Sequence, residues 1–248
     1  MSIPNGKLNG KTAVITGAFG SIGRAVVEAF AAEGIRTILL DVANAPENPD
    51  GDARIEAVKV DLSDEADVAR AIEFLQSHYG TIDILVNVAG ILSNNKVAET
   101  TIGEWHKVNA VNVDAAFLLS QAVLPGMRAQ KWGRIINISS YAAKSGGLTA
   151  GTAYSVSKSA MIGLTFSIAR ETAGEGITVN AIAPAYVMSP MISEQLTEEQ
   201  RQRQLLQIPV GRFCEPEEVA HAVTFLASPL AGFITGEVID MNGGLHFD

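Results

Sequence analysis

In TAVITGAFGSIGRAVVEAF (residues 12–30) an apolar run of strand length ends in a glycine-rich turn, and a segment of helical period follows at once. The run TAVIT (12–16) lacks polar alternation, which marks a strand covered on both faces. Ile22, Val26, Val27 and Phe30 then recur along one side of a helix. Gly17, Gly20 and Gly23 between them permit a tight turn and close backbone approach. Such a turn places helix N-terminal amides where a pyrophosphate is bound, so Gly17, Ser21, Ile22 and Gly23 are candidate contacts for a dinucleotide.

The same rhythm continues to the end of the chain. Strands are expected at RTILLD (36–41), EAVKVD (56–61), IDILVNV (82–88), GRIINIS (133–139), ITVNAIA (177–183) and GEVIDM (236–241). Amphipathic helical stretches lie between them, at about 63–79, 102–130, 153–174 and 215–228. Short apolar strands alternating with helices define an α/β fold: a single doubly wound, Rossmann-type parallel sheet with helices on both faces. No repeat, low-complexity tract or linker interrupts residues 1–248, so one dinucleotide-binding and catalytic domain is expected. The polar segment 191–207 (MISEQLTEEQRQRQLLQ) breaks the alternation.

Composition narrows the function by exclusion. The net charge of −9 repels nucleic acid and anionic membranes, so neither is an expected partner. The N-terminus MSIPNGKLNG has no signal-peptide character, no run reaches membrane-spanning length, and Cys214 is the one cysteine; a cytoplasmic protein is expected. His78, His106, His221 and His246 show no metal-ligand spacing, no metal is expected, and a hydrolase serine elbow is absent.

The carboxyl ends of the strands supply the candidate chemistry. Asp41 ends the second strand, where a carboxylate accepts hydrogen bonds from ribose hydroxyls and repels a 2′-phosphate. Residues 37–53 and the turn at 17–23 contain no Lys or Arg to bind that phosphate, so NAD is the expected cofactor. Asp61-Leu62 and Asn87-Val88-Ala89-Gly90 close the third and fourth strands on the same edge. Tyr154 and Lys158 lie one helical turn apart on one face. An ammonium about 4 Å from the phenol contributes about 4 kcal/mol at an effective dielectric near 20. That is enough to bring a phenol of pKa near 10 to neutrality, provided burial does not cancel it. Ser139 and Ser140 end the fifth strand, where a hydroxyl can polarise a substrate oxygen.

With these residues in place, the whole chain resembles the classical short-chain dehydrogenase/reductases. The resemblance implies that Thr16–Gly23 is the family's glycine-rich signature, Asp61 its adenine contact with Leu62 beside it, and Asn87–Gly90 its Asn-Asn-Ala-Gly motif, with Asn87, Ala89 and Gly90 as cofactor contacts. It implies a catalytic set of Asn112, Ser140, Tyr154 and Lys158, with Tyr154 as acid/base, Ser140 polarising the carbonyl, Lys158 lowering the phenol's pKa and binding ribose, and Asn112 holding a relay water. Asn180-Ala-Ile-Ala-Pro184 also fits, with Pro184, Val187 and Ser189 near the nicotinamide, 191–207 as a substrate lid, and a homotetramer as the assembly. Ser21, Val88 and Ala185 depart from the pattern, where the family has Gly, Asn and Gly.

The function expected from these readings is NAD-dependent interconversion of a secondary alcohol and a ketone, on a small polar substrate such as a sugar, sugar acid or hydroxy acid. The competing reading is a 3-oxoacyl carrier-protein reductase, with Arg128 and Arg170 meeting an acidic carrier. A cofactor-free lyase would replace Lys158, and a silent NAD-binding regulator would lose Tyr154 or Lys158. Tyr141, Lys144, Leu148, Tyr186, Met188 and Met191 are expected around the substrate, with Lys144 suited to a substrate carboxylate.

Overall fold

Apolar strands without alternation must be covered on both sides, and the computed structural model, which describes residues 8–44, 53–189 and 197–247, covers them with helices. Strands β1 (Thr12–Thr16), β2 (Arg36–Asp41), β3 (Ile55–Lys59), β4 (Ile84–Asn87), β5 (Gly133–Ile138), β6 (Ile177–Pro184) and β7 (Val238–Met241) form one sheet. Their order is β3-β2-β1-β4-β5-β6-β7, and every pairing is parallel. All seven expected strands are present, each end within one or two residues of the sequence reading.

The helices are α1 (Ser21–Ala32), α2 (Glu65–Tyr79), α3 (Ile102–Asn109), α4 (Ala115–Gln130), α5 (Ala142–Ser145), α6 (Thr152–Thr172), α7 (Glu198–Leu205) and α8 (Pro216–Ala227). One layer buries Val26 and Phe30 of α1 with Val219, Val223 and Leu226 of α8. The other buries Val68 and Leu75 of α2, Leu119 and Met127 of α4, and Ile168 of α6. Successive β1 residues feed opposite layers, Ala13 and Ile15 into the first and Val14 into the second.

Two departures from the sequence reading concern helices. The stretch 102–130 is not one α-helix: Ala110–Asp114 forms a π-turn between α3 and α4. Ile102–Gln130 is by length and composition apolar enough to cross a membrane, yet Ala115, Leu119, Val123 and Met127 pack into the core. Of the expected lid, residues 191–196 lie outside the described residues, and α7 covers Glu198–Leu205.

At the amino edge of the sheet, Arg134 is 3% exposed. Its guanidinium donates to the carbonyls of Gly133 (2.8 Å), Gly176 (3.4 Å) and Ser228 (3.4 Å) and lies over the Trp132 ring. Gly176 ends the turn after α6, and Ser228 caps α8. Burial without a carboxylate pushes the Arg134 pKa down to about 10.

The topology reverses between β1 and β4, and the β1–α1 turn lies at that reversal. A methyl group on Gly23 would overlap the Gly17 carbonyl oxygen and sit 2.7 Å from Ala18 Cα, whereas one on Gly20 would meet Gly17 O at 3.4 Å. Gly23→Ala is therefore expected to cost about 2–3 kcal/mol of unfolding free energy, and Gly20→Ala less than about 1 kcal/mol. Urea denaturation of the two variants checks this; equal losses would show that the turn tolerates a side chain at Gly23.

Candidate active site

Ligands of open parallel sheets bind beyond the carboxyl ends of the strands, where the strand order reverses. Here that crevice lies beyond Thr16 and Asn87, which are aligned in β1 and β4. The Thr16 hydroxyl accepts both Val88 N–H and Ala89 N–H (3.1 Å each). Gly17, at φ +62°, lies so close to Ala89 that an added methyl would come within 2.8 Å of Ala89 Cα. Gly20 caps α1 with no side-chain hydrogen bond, and no acidic residue occupies the first turn, so its N-terminal amides face no carboxylate of their own helix. Ser21 and Ile22 begin α1 half-buried, and Gly23 is buried beneath them.

Asp41 closes this turn from β2. Its carboxylate accepts Phe19 N–H (2.9 Å) and Ala43 N–H (3.0 Å), fixing it beside the glycine turn. Asp61 is exposed after β3, and Ser63 donates to its Oδ1 through both N–H (2.9 Å) and hydroxyl (2.7 Å). The Ser63 hydroxyl and amide hold the Asp61 pKa below the ordinary carboxylate range. The Leu62 side chain is in the core, which leaves only its backbone to face a ligand.

Asn87 takes a different place from the one its motif suggests. It is buried between strands and donates to Asn137 Oδ1 (2.8 Å), while Asn137 donates to the Thr165 hydroxyl (2.9 Å). Its own Oδ1 is buried with no hydrogen-bond partner. This amide ladder ties β4 through β5 to α6. Sequence reasoning missed Asn137 and Thr165, because neither stands at a strand end.

On the other side of the crevice, α6 presents Tyr154 and Lys158 in the expected orientation. Lys158 is 3% exposed, its ammonium donates to Ile138 O (2.8 Å), and it lies 5.8 Å from the Tyr154 ring centroid. Ser139 donates to Lys158 O (2.7 Å), tying β5 to α6 beside Ser140. A methyl on Gly90 would lie 3.1 Å from Lys158 Nζ and 3.4 Å from Asn112 Oδ1, so Gly90 leaves space between them. Asn112, 1% exposed, lies in the π-turn. It accepts Ile91 N–H (2.8 Å) and donates to Ile91 O (3.2 Å) and the Ser157 hydroxyl (2.9 Å). The π-turn gives its side chain a direction that a regular helix would not supply.

Electrostatics revise one expectation. Burial raises the Tyr154 pKa, and the hydrogen bond with Ser140 only partly offsets this. Lys158 is itself desolvated, its pKa pushed down to about 8. Burial thus prevails over the ammonium in the protein alone, and at neutral pH the phenol keeps its proton. Beyond the catalytic groups, Pro184 is buried with its carbonyl accepting Tyr141 N–H (2.8 Å). Val187 is half-buried and bridges to Cys214, and Ser189, also half-buried, ends the described segment. Lys144 does not extend towards a substrate carboxylate: its ammonium pairs with Asp240 (2.5 Å).

The glycine cradle, the uncapped amides and the carboxylate of Asp41 fit a dinucleotide, and Tyr154, Ser140 and Lys158 fit proton transfer to a carbonyl oxygen. Such an arrangement defines an oxidoreductase of the doubly wound class. The chain belongs to the short-chain dehydrogenase/reductase family. A family profile described as enoyl-(acyl carrier protein) reductase matches residues 17–246. The chain is 37% identical over 243 residues to a 3-oxoacyl-(acyl-carrier-protein) reductase of Vibrio cholerae, covering 96% of this chain and 98% of that protein. It is 39% identical over 247 residues to the protein of the same name from Aquifex aeolicus, covering 96% and 98%. Among solved structures it is similar to a putative NAD(P)-dependent gluconate 5-dehydrogenase from Beutenbergia cavernae with NADP bound at low occupancy (37% identity, TM-score 0.90, 96% and 98% covered). It also resembles a glucose/ribitol-type short-chain dehydrogenase from Brucella melitensis (32% identity, TM-score 0.86, 98% and 100% covered).

Desolvation of Lys158 has a measurable cost. Its folded pKa of about 8 lies below the ordinary 10.5, so the unfolded chain binds more protons between those values and stability rises with pH there. Lys158→Met should therefore raise the unfolding free energy at pH 7 by about 2 kcal/mol, after allowing for the lost bond to Ile138 O. The gain should shrink as pH rises from 8 towards 10.5. Denaturant titrations across that range check it; a variant no more stable than the parent at pH 7 would contradict the desolvation.

Proposed function

We propose that this chain is a nicotinamide-dependent enzyme that interconverts a secondary alcohol and a ketone, with Asn112, Ser140, Tyr154 and Lys158 as its working residues. The observation that carries the reading is the convergence of the Tyr154 phenol, the Ser140 hydroxyl and the buried Lys158 ammonium beside Gly90. The cofactor, when bound, supplies or accepts the hydride. Ser140 orients the carbonyl oxygen, and Tyr154 gives its proton to that oxygen during reduction or removes it from the alcohol during oxidation. Lys158, with its charge held beside the phenol, favours the phenolate needed for oxidation. Asn112 fixes the Ile91 backbone against α6 and so shapes the floor on which a relay water would sit. Gly17, Ser21, Ile22, Gly23, Asp61, Leu62, Ala89, Gly90, Pro184, Val187 and Ser189 line the path of the dinucleotide, and Asn87 braces it from below.

For the substrate, the curated relatives support a 3-oxoacyl thioester over the small polar substrate expected from Asp41. A specific observation keeps the polar reading in play. Arg128, one of two arginines suited to an acidic carrier, is already held by Glu171 (2.5 Å) and Glu175 (2.8 Å), leaving Arg170 exposed alone on α6. The placement of Asp41 beside the glycine turn favours NAD, while the gluconate dehydrogenase neighbour holds NADP. The chain works in the cytoplasm as one catalytic domain. Exposed Phe117 and Phe166 on α4 and α6, and Phe225, Leu230 and Phe233 near α8, supply two apolar faces suited to a homotetramer.

The direct test follows NAD(P)H absorbance with acetoacetyl thioesters, and with gluconate, ribitol and hydroxy acids in the reverse direction. Turnover on one class assigns it; none on any of them contradicts the reading. Tyr154→Phe should lower kcat by about a thousandfold while leaving NADH binding intact. Retained turnover in that variant would exclude Tyr154 as the acid/base. Asp41→Ala should improve NADP relative to NAD, read as the ratio of kcat/KM values; an unchanged ratio would place cofactor choice elsewhere.

A further inference from the structure

Ser140 is followed directly by α5, and several ties fix that short turn. Ala142 N–H donates to the Ser140 hydroxyl (3.1 Å), and Ala143 N–H to the Ser140 carbonyl (3.0 Å). Tyr141 N–H reaches Pro184 O (2.8 Å), and the Ser159 hydroxyl of α6 reaches Ala143 O (3.0 Å). Each of these ties is short-range in charge and neutral. Charge enters through the ion pair of Lys144 with Asp240 in β7, at 2.5 Å, with both side chains 18% exposed. Asp240 is aligned with Ala183, one residue before Pro184, so the pair spans from the turn after Ser140 to the strand beside the nicotinamide segment.

This pair is costly to keep. The second oxygen of Asp240, Oδ1, is buried without a hydrogen-bond partner among the described residues, so the carboxylate is incompletely satisfied. Partly buried ion pairs of this kind add little to stability and serve better to fix one arrangement. What this one fixes is the turn that carries Ser140.

We propose that Lys144 and Asp240 are positioning residues of the reaction: their ion pair anchors α5 to β7 and thereby sets the Ser140 hydroxyl on the Tyr154 phenol. The role rests on the oxidoreductase reading above, and its test does not depend on turnover. The hydrogen bond from Ser140 lowers the Tyr154 pKa against burial, so the phenol reports where Ser140 sits. Other ionisable groups on elements meeting this end of α6 include Lys158 on the same helix, Tyr141 beside α5, Lys96, whose ammonium donates to Gly147 O and Ala150 O (2.6 Å each), and Glu104, His106 and Lys107 on α3, with the Glu104 carboxylate taken by Ser93 and Asn95. A positioning role and a direct effect of charge differ in sign. Acting through space, loss of the Lys144 cation raises the phenol's pKa and loss of the Asp240 anion lowers it. Acting through Ser140, either loss raises it.

The experiment labels the four tyrosines with carbon-13 at Cζ and titrates the protein without cofactor or substrate, with Tyr154 assigned by its absence in Tyr154→Phe. Ser140→Ala, Lys144→Met and Asp240→Asn should each move the Tyr154 midpoint upward by about half a pH unit or more. Lys144→Arg should leave it near the parental value, and combining Lys144→Met with Ser140→Ala should add nothing. Opposite shifts for Lys144→Met and Asp240→Asn, full additivity with Ser140→Ala, or no shift in any variant would overturn the proposal. Should the titration behave as expected in a chain that turns over no alcohol or ketone, the functional reading fails and the coupling of the pair to Ser140 stands.

Discussion

Two strands that are distant in sequence must end side by side for anything to bind between them, and the hydroxyl of Thr16 enforces this. It accepts the N–H groups of both Val88 and Ala89, the first residues after β4, and so joins the glycine turn to the fourth-strand motif. Gly17 and Gly23 let the turn collapse onto Ala89 and Ala18, because neither brings a Cβ into the contact. The crevice therefore has a floor made of backbone, with the N-terminal amides of α1 left uncapped by any side chain. Everything on the catalytic side is referred to that floor: Gly90 leaves the gap into which Lys158 and Asn112 point, and Lys158 is in turn hung from Ile138 of β5.

In the proposed mechanism Tyr154 and Lys158 work by a balance of desolvation and charge. Burial favours neutral Tyr154 and pushes the Lys158 pKa down to about 8. A site in this condition is set for giving a proton, as reduction requires. Oxidation requires additional positive charge near the phenol, which an oxidised nicotinamide carries. The protein thus leaves part of its acid–base tuning to the ligand, and the Ser140 hydrogen bond is the contribution it keeps for itself.

Much of this was legible in the sequence because strand and turn signals are local. The uninterrupted apolar runs marked all seven strands, and the glycine spacing located the β1–α1 turn. Tyr154 and Lys158 were visible because helical spacing alone puts them on one face. What was hidden depends on contacts far apart in the chain. The π-turn around Asn112 carries no signature separable from the flanking helices. Asn87 read as a ligand contact, but its amide is consumed by Asn137 fifty residues on. Lys144 read as a partner for a substrate carboxylate because Asp240 lies 96 residues away. The raised pKa of Tyr154 was likewise out of reach, since burial is a property of the packed whole. Substrate identity stayed illegible because residues expected around the substrate, such as Tyr141, Leu148 and Tyr186, stand in turns and bends with no periodic pattern.

At the opposite edge of the sheet, the buried guanidinium of Arg134 joins the turn after α6 to the cap of α8 and to β5 itself. Neither helix can fray from its C-terminal end without stripping hydrogen bonds from a charge that has no water to replace them. The C-terminal ends of α6 and α8 are thereby coupled through one buried charge. Amide protons at those two helix ends would then share one opening free energy, and the helix bearing Tyr154 and Lys158 is held at its far end by a residue of β5.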